Sequence, residues 1–197
     1  MAKSRGPLLK KCRSLGIDPA FLGYSKKSKK NPKVNRRKVS EYGLQLKEKQ
    51  KTKFVYGVLE KQFRKYFEMA SSKKGVTGEN LLQILESRLD NVVFRLGFAN
   101  TRAQARQFVN HGQFEVNGKR VNIPSYLVKV GDVITIKENK KDNSTIKANM
   151  EENSGRPVPT WLEMDAKNMR GKVVRLASRE DIDLPIEEHL IVELYSK

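Results

Sequence analysis

The chain has 197 residues, 40 Lys and Arg against 22 Asp and Glu, and a formal net charge of +18. That length suits one large domain or two small ones with modest cores, and that charge calls for a polyanionic partner, either nucleic acid or an anionic membrane surface. No apolar run approaches the roughly 20 residues of a spanning helix, which disfavours the membrane reading, and the lone Cys12 excludes an intramolecular disulfide and the usual thiolate zinc site.

The charge is concentrated at the start. Met1 to Lys53 hold 17 basic residues and only Asp18, Glu41 and Glu48 as acids, a net of +14 that leaves +4 on the remaining 144 residues. With Pro7, Pro19 and Pro32 and few clustered apolar residues, this arm is not expected to fold alone; phosphates would order it as counterions are released. Ile17, Phe21, Leu22 and Tyr24 are interleaved with the lysines, which a merely solubilising tail has no need of. Residues 1–16 hold no apolar run longer than the pair Leu8-Leu9, where a signal peptide needs about 7–15 apolar residues. Their basic, acid-poor character also fits an organellar transit peptide, but the expected location is the cytosol.

Leu46 to Met69 reads as one helix, with Val55, Leu59, Gln62 and Tyr66 at helical spacing and Phe63 and Phe67 beside them. Ser71 to Gly75 breaks it. Thr77 is a candidate N-cap for a second helix with the stripe Leu81, Leu85, Leu89, Val92 and Leu96, ended by Gly97. A third helix opens at Thr101 and runs to Gly112, burying Ala105, Phe108 and Val109, with Arg102 and Arg106 on an exposed edge. Asn117-Gly118 between alternating residues marks a hairpin. Val128 to Ile136 reads as a strand pair bent at Gly131-Asp132, and 137–154 as a polar linker or a fraying helix. The tail regains order at Pro157–Leu162 and closes on the apolar run Leu190–Tyr195.

The capped basic helix, its glycine stop and the hairpin bearing Lys119 and Arg120 form a compound signal. Two arginines one turn apart match the spacing of successive phosphates, and each planar fork takes phosphate oxygens bidentately. Free amides near Thr101 favour anions as well, and structured RNA is read largely through shape, phosphates and 2′-hydroxyls.

On these residues, 88–138 resemble the small RNA-binding domain named after small-subunit ribosomal protein four. Further motifs resemble the bacterial family of that ribosomal protein, in its zinc-free type. They are Gly6-Pro7, Glu41-Tyr42-Gly43, Leu46–Lys51, Tyr56–Phe63, Thr77–Leu82, Pro159–Leu162 and Glu188–Lys197. The resemblance spans nearly the whole chain. It implies an α+β fold: a basic arm (1–43), a helical domain (44–86 with 155–197), and a small α/β RNA-binding domain (87–154) of two helices on a short, mostly antiparallel sheet. It implies a structural constituent of the small ribosomal subunit that grips the 5′ domain of 16S ribosomal RNA, nucleates assembly of the subunit body and, with small-subunit proteins five and twelve, affects accuracy.

The RNA contacts the resemblance implies are Arg102, Arg106, His111, Asn117, Lys119 and Arg120, with Lys3, Arg5, Lys10, Lys11 and Arg13 in the arm. Arg36, Arg37 and Lys38 would lie at the messenger-RNA entrance, and His189, Leu190, Val192 and Tyr195 would face protein five. Two departures stand out. Members that bind zinc carry a cysteine cluster where only Cys12 remains, so no metal or other cofactor is expected. Many members also have Gly-Gln-His-Gly before the Tyr-Gly motif, where this chain has Asn31–Lys38.

Arg88-Leu89-Asp90 resembles the catalytic triplet of pseudouridine synthases, but Leu89 belongs to a helical stripe, which places Asp90 on a helix, and no large catalytic domain accompanies it. No phosphate-binding loop or metalloprotease helix occurs. His111, at the end of a helix, suits a phosphate or dipole partner better than a base; His189 is expected to pack in the tail. An RNA chaperone or a regulator binding messenger RNA remains the rival reading, and an organelle-encoded homologue is also open.

Overall fold

The computed structural model describes residues 6–26, 28–30 and 39–196. Lys3, Arg5, Arg36, Arg37 and Lys38, expected to touch RNA, lie outside the described residues. The chain divides into two compact units, Met1–Leu82 with Asp183–Lys197, and Gln83–Ile182.

In the first unit the arm is already partly folded. Helix α1 (Leu8–Leu15) is followed by a 3-10 turn over Pro19–Leu22, capped by Asp18, which accepts from the Ala20 amide at 3.0 Å. Cys12, Ile17 and Leu22 are buried, and α1 packs on α2 (Glu41–Tyr56). Three apolar residues at one face suffice to anchor a short helix on an existing one. The arm's charge pattern hides them.

The helix expected over 46–69 is two helices, α2 and α3 (Glu60–Ser71). Gly57 sits at φ 62°; its amide reaches Phe54 O at 3.3 Å, and the Val58 amide reaches Lys53 O at 3.0 Å. These paired bonds close a Schellman C-cap, which a left-handed residue makes possible. Apolar residues on both sides of the break carry the stripe across it, so periodicity alone sees no break. In the C-terminal return of this unit, α8 (Glu188–Tyr195) packs along α2, and buried Gln45 donates to Glu193 at 3.0 Å.

The chain passes into the second unit within α4 (Thr77–Glu86). The second expected helix also divides, because Arg88 is extended (φ −69°, ψ 136°) and α5 begins at Leu89 (Leu89–Arg95). Here the backbone turns outward to pair with another segment: the Leu89 amide donates to Tyr126 O at 2.8 Å and the Val128 amide to Ser87 O at 2.9 Å. Buried Arg88 grips Asp90 through two bonds of 3.0 and 2.6 Å, fixing the turn. Asp90 does lie on a helix.

Helix α6 (Arg102–Asn110) starts as its capping residue predicts: Thr101 Oγ1 accepts from the Gln104 amide at 3.1 Å. Strands β1 (Phe114–Val116) and β2 (Lys119–Arg120) flank Asn117-Gly118, both at positive φ, as the hairpin reading requires. Between Val128 and Ile136 there is one strand, β3 (Val133–Ile136), rather than a pair; its partners are β1 and a strand further along the chain, at Arg170–Val173. Of the two readings of 137–154, the helix is the one found, and it is anchored rather than fraying. Helix α7 (Ser144–Glu152) is held by buried Asn149, which donates to Phe98 O at 3.2 Å, and by Asn153, which donates to Gly97 O at 3.1 Å. Amides bonded to backbone carbonyls leave no apolar period to find.

Residues 155–182 do not complete the helical domain as expected. They supply β4 (Leu162–Asp165) and β5 (Arg170–Val173), giving an antiparallel sheet in the order β2-β1-β3-β5-β4. Asp181 accepts from Arg175 at 2.6 and 2.7 Å and from Thr160 at 2.9 Å, fastening the chain after β5 to the approach to β4. The core under this sheet includes Phe98, Phe108, Val109, Phe114, Ile134, Trp161 and Val173. The architecture is the mixed α and β fold expected, with a five-stranded sheet.

Candidate nucleic-acid interface

In the second unit, basic side chains of α6 and of the hairpin come together where α6 ends. His111 caps α6 with its amide on Gln107 O at 3.0 Å, and its side chain is exposed. Gly112 follows at φ 63°, and any Cβ there would collide with the Arg120 guanidinium. Arg120 on β2 thus lies directly over the end of α6, beside His111. Lys119, its neighbour on the two-residue strand, projects to the opposite side and is exposed. Arg106 is half-buried on α6.

Two expected contacts are placed differently. Arg102 is only 8% exposed. Its Nε donates to Asn91 Oδ1 at 2.8 Å, and its guanidinium lies 4.4 Å from the Phe94 ring centroid. The reason is visible in the numbering, since 102, 105 and 109 share one helical stripe. Asn117 is exposed, but both ends of its amide are occupied: Nδ2 donates to Asp132 at 2.8 Å, and Oδ1 accepts from the Val133 amide at 2.9 Å. It holds the hairpin to β3.

In the first unit, α1 carries Lys10 exposed and Lys11 and Arg13 half-buried. The three line a shallow cleft of about 260 Å³ with Pro7 and Ser14. Lys11 Nζ stands 5.7 Å from the Phe54 ring centroid, and Arg13 reaches Ser28 Oγ at 3.3 Å. On α8, His189 is exposed, Leu190 and Val192 are half-buried, and Ile191 is buried. Exposure, not packing, is the finding at His189. Tyr195 serves the unit itself: its ring stacks on Phe67 at 4.6 Å, and its hydroxyl donates to Glu60 at 2.8 Å. Burial and the Glu60 hydrogen bond raise its pKa.

Cys12 is buried, and burial pushes its thiol pKa up, so it is a poor nucleophile. Among the described residues no His, Cys, Asp and Glu group has the makings of a metal site, and no helix is long and apolar enough to cross a membrane. The Arg88–Asp90 pair, closed on itself and buried, offers no carboxylate to a substrate.

A mixed helix-and-sheet unit with basic side chains gathered on a helix end and a hairpin is an RNA-binding module in class. Comparison agrees: residues 87–134 match the S4 domain, and residues 3–86 match the Ribosomal protein S4/S9 N-terminal domain. The small ribosomal subunit protein uS4 of Agathobacter rectalis is 61% identical over 197 residues, covering 100% of both chains. That of Lachnospira eligens is 59% identical with the same coverage. That of Acetivibrio thermocellus is 68% identical over 163 residues, 83% of this chain and 78% of the relative. The chain belongs to the uS4 family of small ribosomal subunit proteins. Members are structural components of the small subunit, cytoplasmic in bacteria, and not enzymes.

Proposed function

We propose that the protein binds the 5′ domain of 16S ribosomal RNA and nucleates assembly of the subunit body. The observation that supports this most is the seating of Arg120 on the end of α6 beside exposed His111, with Lys119 exposed on the other face of the same hairpin. A helix end and a hairpin are thereby joined into one cationic surface, stiff enough to match the fixed phosphate positions of a folded RNA. Arg106 extends that surface along α6. Lys10, Lys11 and Arg13 form a second phosphate-facing group on α1, to which Lys3 and Arg5 belong by sequence. Asn117 and Arg102 act behind the surface, by holding the hairpin and α6 in place.

The finer roles follow from the family resemblance. Exposed His189 and half-buried Leu190 and Val192 on α8 face small-subunit protein five, and through that contact and protein twelve the chain affects accuracy. Arg36, Arg37 and Lys38 lie at the messenger-RNA entrance.

The test replaces Lys119 and Arg120 together with Ala and measures filter binding to the 5′ domain RNA beside a thermal melt. Charge-assisted contacts to phosphate predict a loss of about tenfold or more in affinity with melting near the parent temperature. Unchanged affinity would remove the hairpin from the interface.

A further inference from the structure

Two guanidiniums flank one ring in the second unit, and a third lies within reach of one of them. Arg102 and Arg156 stand 4.4 and 4.7 Å from the Phe94 centroid, and Arg95 follows Phe94 at the end of α5. One carboxylate accompanies them. Glu86 is fully buried and accepts from Arg95 Nη2 at 2.9 Å, Arg95 Nε at 3.1 Å and Asn91 Nδ2 at 2.6 Å. Asn91 in turn accepts from Arg102 through Oδ1. Glu86 is therefore engaged on both oxygens by Arg95 and Asn91, with Arg102 joined through Asn91.

Arg156 has no comparable place. Its Nη1 is buried and has no hydrogen-bond partner among the described residues. Burial and the charge of Arg95 both push its pKa down, with no carboxylate working the other way. Arg156 thus keeps its charge in a partly desolvated place beside a second cation, Arg95. A buried guanidinium N–H without an acceptor is costly, and a bound anion is one of the standard explanations for it. An oxyanion answers both needs, since its oxygens accept from the guanidinium fork and its charge offsets that of Arg156 beside Arg95.

We propose that Arg156, beside Phe94 and in the field of Arg95, binds a phosphate-type oxyanion. Such a group comes from an RNA backbone or from free phosphate. The site is separate from the hairpin surface and shares no residue with it. The RNA source rests on the reading of the chain as an RNA binder; the oxyanion chemistry does not.

Trp161 is the chain's only tryptophan and is buried in the same unit, so its fluorescence follows that unit's melting. The experiment melts the full chain in sodium sulfate and in sodium chloride at equal ionic strength. It compares the parent with Arg156→Met, Arg156→Lys and, as a control for lost charge, Lys167→Met on an exposed turn. The parent and Lys167→Met should melt about 3 °C or more higher in sulfate than in chloride. Arg156→Met should lose that difference while melting in low salt at or above the parent temperature, because it removes uncompensated charge and keeps an apolar stem on Phe94. Arg156→Lys, which keeps the charge and lacks the fork, should keep only part of it. Filter binding to the 5′ domain RNA gives the source. A loss of about tenfold with Arg156→Met assigns the site to a backbone phosphate, and unchanged RNA affinity with the sulfate effect intact assigns it to free phosphate. An equal sulfate response in the parent and Arg156→Met overturns the site. So does early melting of Arg156→Met in low salt, which would make the guanidinium a packing element. If the parent fails to bind RNA at all, the proposed function falls while the sulfate comparison still judges the site.

Discussion

Arg102 and Arg106 are alike in the sequence and unlike in the fold. Arg102 satisfies buried Asn91 and stacks on Phe94, so Arg102→Ala leaves an amide oxygen without that donor and a ring without its cation. The cost should be about 2 kcal/mol or more, seen as an early melt by Trp161 fluorescence. Arg106→Ala should melt within about 1 kcal/mol of the parent and lose about tenfold in RNA affinity. If the two variants behave alike in both measurements, the division between positioning and contact fails. The division was legible in part, since the 102–105–109 spacing places Arg102 on the buried stripe. What the sequence withholds is the acceptor: Asn91 lies on another helix, and nothing local marks its carbonyl as needing a guanidinium. Arg156 was invisible for the same reason, standing after a polar stretch whose helix is anchored by asparagines.

At the scale of elements, existence was easier to read than extent. Capping chemistry placed the start of α6 and the Asn-Gly turn, because those signals are local and carry their own hydrogen bonds. Two helices were read as continuous across Gly57 and Arg88, where the break is made by a left-handed cap in one case and by pairing with a distant loop in the other. The node joining α2, α3 and α8 was not read at all. Glu60 on α3 accepts from Lys49 at 2.9 Å, Lys53 at 2.5 Å and Tyr195 at 2.8 Å. Burial opposes its ionisation, but hydrogen bonds from Lys53, Lys49 and Tyr195 outweigh it and hold the pKa at about 2, below the ordinary 4.5. A carboxyl with a depressed folded pKa contributes its full stabilisation above its unfolded pKa and loses it as pH falls. The window therefore runs from 4.5 down to about 2. Followed by circular dichroism, the parent's melting temperature should fall more steeply across that window than that of Glu60→Gln. Parallel curves would show that the three helices do not depend on the Glu60 charge.

For the whole molecule, the asymmetry of charge was the most legible feature and the folded state of the arm the least. A net of +14 before residue 54 announces a phosphate-binding segment, yet its described part is anchored by Cys12, Ile17 and Leu22. Deleting the arm would therefore strip core from the first unit and confuse lost contacts with lost stability. Replacing Lys10, Lys11 and Arg13 with Gln removes three charges and keeps those anchors. Lys11 gives up its contact with Phe54, a half-buried cation–π pair worth roughly 1 kcal/mol, so a dichroism melt should show a shift of a few degrees at most. The binding equilibrium should respond much more. Each phosphate neutralised contributes about −0.9 to the slope of log affinity against log salt on B-DNA and about −0.7 on single strands, because condensed counterions are released. If all three side chains face phosphates, the slope measured by filter binding to the 5′ domain RNA should flatten by roughly two to three. A flattening near one would mean that a single side chain reaches RNA, and exposed Lys10 is the one placed to do so. A slope unchanged within error, with affinity also unchanged, would take α1 out of the interface and leave the arm's remaining charge to carry the salt dependence.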